Sequence, residues 1–146
     1  MIAQTIQLAL APVFVLVAVG NILNLLSTRL GRIVDRSRVL QEMHRETSGV
    51  DHDMVVREIR LIDRRIDLVG RAILLLVLSG IAIGSTVAVL FLEELLGADL
   101  QNVASITFIV AIGLLMWGLI LFLRETREAS RALRIPEELL EKDREL

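Results

Sequence analysis

The stretch Gly20 to Arg38, GNILNLLSTRLGRIVDRSR, decides the fold. It begins inside an apolar run and ends among closely spaced arginines. On a helix at about 100° per residue, Gly20, Asn21, Asn24, Ser27, Thr28, Gly31, Asp35 and Arg38 share a wedge about 120° wide. Leu23, Leu25, Leu26, Leu30 and Ile33 fall outside it. One helix therefore carries a stripe of small and polar side chains from hydrocarbon into water.

Upstream, the apolar run from Leu8 to Leu26 has about the 20 residues that a spanning helix needs. Met1 to Gln7 has no charged side chain, and the basic residues follow the run instead of preceding it. That order is the reverse of a signal peptide, so the segment reads as a retained anchor. Pro12 fits a helix start, where its missing N–H costs little, or a mild kink.

Downstream, residues 29–71 are polar and helical in pattern. Leu30, Ile33, Ser37, Leu40 and His44 continue the first helix at spacings of three and four. Thr47-Ser48-Gly49 breaks it, with Gly49 suited to a left-handed cap. Asp51 or Asp53 is placed to cap the next helix. Val55, Ile59, Ile62, Ile66, Val69 and Ile73 then form an a/d seam that runs into a second apolar segment. Two seams joined by a short turn predict an antiparallel helical hairpin. Its seam, Val55, Ile59, Ile62 and Ile66, meets either Ile33 and Leu40 of the same chain or a second subunit. Asp67 with Arg71, and Arg38 with Glu42, have the spacing of helix-surface ion pairs.

The second span is 72–92, with Gly80-x-x-x-Gly84 flanked by Ser79 and Ser85, a pattern that admits a close neighbour helix. Residues 93–102 form a short acidic loop. The third span is 103–123, with Trp117 as packing or as an interfacial anchor. The tail, 124–146, begins as a helical continuation that Ile135-Pro136 stops. The expected fold is thus an all-α integral membrane protein, a single membrane domain over 1–146. It has transmembrane helices at 8–28, 72–92 and 103–123, with a cytoplasmic antiparallel hairpin at 29–71 between the first two.

Composition agrees. The chain is 54% hydrophobic over 146 residues, far too apolar for a small soluble domain. It has no Cys, which excludes disulfides and thiolate chemistry. Of its 16 basic residues all but Lys142 are arginine, a bias suited to phosphate and carboxylate pairing, and one that a GC-rich genome also produces. Every Lys and Arg lies in 29–71 or beyond 123, whereas 93–102 holds Glu93, Glu94 and Asp99 and no base. The positive-inside rule then places the hairpin and C-terminus in the cytoplasm and the N-terminus outside.

The run LALAPVFVLVAVGNILNLLSTRLGRIVDRSRVL resembles a bacterial family of small membrane proteins known only as a domain of unknown function. The resemblance rests on Ala11-Pro12, on Leu23-Asn24, and on Arg29-Leu30-Gly31-Arg32-Ile33-Val34-Asp35-Arg36-Ser37-Arg38, with Arg64-Arg65-Ile66 before the second span. It implies three helices in a bacterial inner (plasma) membrane. It implies no activity and no catalytic residue.

Enzyme chemistry is not expected. The spans hold no His, Asp, Glu, Lys or Arg, so an intramembrane hydrolase or proton relay lacks its groups. His44, Asp51, His52 and Asp53 cluster near the hairpin tip without a recognised metal spacing, and read as a solvated turn. No metal and no cofactor are expected. Nucleic acid is not an expected partner, since the hairpin mixes ten Arg with eight acids and has no aromatic side chain other than His to stack on bases. Arg29, Arg32, Arg36 and Arg38 suit anionic lipid headgroups, and equally suit topology and pairing with Asp35. Asn21 and Asn24 need partners in hydrocarbon, because an unpaired amide costs on the order of 1–3 kcal/mol. The partners are other helices of the protomer, the same residues of a second subunit, or water in a pore ringed by first helices. The expected function is a homo-oligomeric membrane protein conducting ions or small solutes along Asn21, Asn24, Ser27 and Thr28. The alternative is a non-conducting scaffold or accessory subunit whose hairpin binds a protein or anionic lipid.

Overall fold

Seven-residue spacing organises all three helices. Two helical turns return a side chain to nearly the same face, and a strict repeat of seven wraps helices gently around each other. The computed structural model describes residues 1–132, and these form three helices with no strand among them: α1 (Ile2–Glu46), α2 (Val50–Leu96) and α3 (Gln101–Ala132). All three are long and apolar enough to cross a membrane, so the chain is a membrane protein.

Thr5, Pro12, Val19, Leu26, Ile33 and Leu40 form the buried line of α1, each seven residues from the next. Against it α2 sets Val55, Ile62, Val69, Leu76 and Ile83, again at sevens. A second line on α2, Ala72, Ser79 and Thr86, faces α3, where Ala104, Ala111 and Gly118 are buried. These are small side chains, the kind that let backbones in a membrane approach closely. Ser79 Oγ donates to the Ala111 carbonyl across this seam at 2.7 Å. A Cβ on Gly118 would stand 3.2 Å from Leu76 Cγ and 3.4 Å from the Ala72 carbonyl oxygen. So α2 is the middle helix, with α1 and α3 on its two flanks.

Several expectations from the sequence need correction. The close approach is not made by the Gly80/Gly84 pair as a unit. A Cβ on Gly80 would meet Leu16 at an ordinary 3.6 Å, and one on Gly84 would meet nothing within 4 Å. Gly49 has a positive φ (71°), but its ψ of −137° lies outside the left-handed helical region. It is the N-cap of α2 and makes no side-chain cap, while Asp51 and Asp53 sit inside the first turn. The acidic loop is shorter than 93–102. Helix α2 carries Glu93 and Glu94 within it and ends at Gly97, a left-handed cap whose N–H donates to Glu93 O. Pro12 lies well inside α1, which starts at Ile2. The Ile135-Pro136 stop and the rest of the tail lie outside the described residues.

Candidate functional site

The wedge of α1 stands opposite its buried line. Gly20, Asn21, Asn24, Ser27, Thr28 and Gly31 are all exposed, and a Cβ placed on Gly20 or Gly31 would meet nothing within 4 Å. Thr28 Oγ1 donates to the Asn24 carbonyl of its own helix at 3.0 Å. The Asn21 and Asn24 amides make no hydrogen bond among the described residues, and α2 packs on the other side of the helix. Among the described residues, no other helix of the protomer supplies a partner to these asparagines.

The four arginines after the wedge separate. Arg36 Nε and Nη2 donate to Glu58 Oε1 at 2.9 and 2.7 Å, tying α1 to α2. Arg32 and Arg38 are exposed and make no ion pair among the described residues, so neither the Asp35 nor the Glu42 pairing forms. Asp67 and Arg71 do pair, at 3.0 Å.

Arg29 turns inward, to a junction of all three helices. Its partner is Glu125, the side chain that follows Ala104, Ala111 and Gly118 at the same spacing of seven. The Glu125 side chain is fully buried. Its Oε1 accepts from Arg65 Nε and lies 3.0 Å from Arg65 Nη2. Its Oε2 lies 3.2 Å from Arg29 Nε, an ion pair whose angles do not make a hydrogen bond. Arg29 Nη1 instead donates to Thr126 Oγ1 at 3.1 Å, and its guanidinium carbon sits 5.4 Å over the Phe122 ring. Arg64 and Glu128 pair beside it at 3.2 Å, closer to solvent. A buried carboxylate between two guanidiniums contributes little net stability when intact, yet removing one partner strands a charge. The junction acts as a clasp that fixes α3 against both other helices.

At the hairpin tip the His44 and His52 rings lie 4.4 Å apart between centroids. Among the described residues no three His, Asp or Glu side chains gather as metal ligands there or elsewhere. The seam residues Val55 and Ile62 are buried, and Ile59 and Ile66 are half-buried, in one core with Ile33 and Leu40. At the opposite end of the molecule the N-terminal ammonium donates to Glu94 Oε2 at 3.0 Å, and Thr5 Oγ1 donates to the same oxygen at 3.2 Å. The ammonium's hydrogen bond holds the Glu94 carboxyl below its ordinary pKa, against the opposing effect of desolvation.

A family model described as "Protein of unknown function (DUF2721)" matches residues 9–135. The chain belongs to the DUF2721 family. No curated protein and no solved structure matches it. The DUF2721 match takes in both the α1 wedge and the Arg29–Glu125–Arg65 junction, and the family carries no activity that could assign a role to either.

Sequence reasoning misses Glu125 and Arg65 as a pair, because each stands among charged neighbours on a helix surface. The signal is the register: a carboxylate continues the line of small buried residues on α3, and Arg65 precedes Ala72 and Ser79 at the same spacing on α2.

Proposed function

We propose that this DUF2721 protein is a homo-oligomer assembled through the outward face of α1, with the first helices enclosing a narrow polar path for ions or small solutes. The observation that carries the proposal is the exposure of Asn21 and Asn24 without a partner in their own protomer. In hydrocarbon such amides are driven to a second subunit or to water. Gly20, Ser27 and Gly31 keep the face shallow enough for neighbouring copies to approach. Rings of amide and hydroxyl dipoles replace part of an ion's hydration shell. Glu93 and Asp99 lie at one end of the path and Arg32 at the other, which biases the mouths in opposite senses.

The test is Asn24→Leu, assayed for single-channel current in planar bilayers and for mass by light scattering in mild detergent. Loss of current with the oligomer intact is the expected result. Wild-type protein that passes no current at any voltage or membrane tension overturns the conducting reading.

One observation favours the scaffold reading instead. Val39, Met43, Val50 and Met54 are exposed near the hairpin tip, an apolar patch beyond the expected spans. If Asn24→Leu dissolves the oligomer, the asparagine is glue between subunits and the scaffold reading takes over.

A further inference from the structure

A second pair of arginines, Arg71 and Arg124, lies apart from the Arg29–Glu125–Arg65 junction, and both are exposed. Arg71 immediately precedes the second apolar span and Arg124 immediately follows the third. The antiparallel packing of α2 and α3 brings them to one end of an open groove of about 540 Å³. Below them the groove is apolar, lined by Leu74, Leu75, Trp117, Ile120 and Leu121. Two guanidiniums at one end and hydrocarbon along the rest is the polarity of an amphiphile with an anionic head.

We propose that this groove seats an anionic phospholipid, with its phosphate between Arg71 and Arg124 and an acyl chain along Leu74, Leu75, Trp117 and Ile120. Basic pockets between transmembrane helices are sites of this chemistry. The charge accounting favours an anionic over a zwitterionic lipid. Arg71 shares its charge with Asp67 in an exposed pair, which is weakly held in water. Arg124 makes no ion pair among the described residues. The groove mouth therefore keeps one net positive charge, from Arg71 and Arg124 less Asp67. By contrast, Arg29 and Arg65 are occupied by Glu125. The arginines thus divide into a pair spent on the protein and a pair presented to the membrane. The proposal is independent of association through α1.

Trp117 is the only tryptophan in the chain and is exposed in this groove, about 10 Å below Arg124 along the helix. Its fluorescence reports what lies there. The protein is reconstituted into phosphatidylcholine vesicles containing a minor fraction of lipid brominated on its acyl chains, either phosphatidylglycerol or phosphatidylcholine. Wild-type Trp117 is expected to be quenched as though brominated phosphatidylglycerol were preferred about fivefold, the ratio that one net guanidinium supplies at a membrane surface. Arg71→Gln with Arg124→Gln should equalise the two lipids, and Arg71→Lys with Arg124→Lys should retain most of the preference. Equal quenching of the wild type by the two lipids overturns the proposal and requires no variant to fold. So does a preference that survives in the glutamine variant.

Discussion

Glu125 has the most demanding environment of any side chain described. Its carboxylate is fully buried, and the two guanidiniums that hold it keep 30% and 22% of their side-chain surface exposed. Glu125→Ala would leave Arg29 and Arg65 facing one another with no anion between them. The expected loss is on the order of 3 kcal/mol, the low end for a broken buried pair because both arginines can still reach water. Thermal melting in detergent, followed by circular dichroism, measures it. Adding Arg65→Leu to the alanine variant should recover part of the loss, since apolar replacement of a whole buried pair is close to neutral. Composition alone does not rank this residue. Among Arg124, Glu125, Arg127 and Glu128 the composition is uniform, and only the register of α3 against α2 separates the buried carboxylate from its neighbours.

At the scale of elements, much more was legible. The three helices follow from three apolar runs, and the hairpin turn from Thr47-Ser48-Gly49 between two seams. Which side of α1 turns inward was not legible, because a stripe of small and polar side chains suits a neighbouring helix of the protomer as well as a second subunit or water. The buried line of sevens on the opposite side decides it. Also left open was the partner of the α2 seam. Ile33 and Leu40 now share a core with Val55 and Ile62, so the seam is filled from within the chain. Ile62→Asp is accordingly expected to melt the far ends of α1 and α2, seen as lost ellipticity at 222 nm, without lowering the particle mass measured by light scattering in mild detergent. A fall in mass with helicity unchanged would show that the seam is a contact between subunits. The short loop at Gly97 and the unusual backbone of Gly49 were not legible, since both depend on how far a helix continues past its last apolar residue.

For the whole molecule, the distribution of charge predicts sidedness. Asp99 and Ser48 lie at opposite ends of the helices and neither is fully buried, so labelling at either position reports access across the membrane. In this cysteine-free chain, Asp99→Cys should react with an impermeant thiol reagent in intact cells, whereas Ser48→Cys should react only after lysis. The reverse pattern would invert the orientation. The unbroken length of α1 sets a mechanical property. Its 45 residues span about 68 Å, and the hydrocarbon layer takes up only about 30 Å of that. The excess is a stiff double rod, α1 braced by α2, with no interruption where it leaves the bilayer. Such a rod is a lever: a sideways push at the turn around Ser48 cannot be absorbed by a joint and must tilt the embedded part of both helices together.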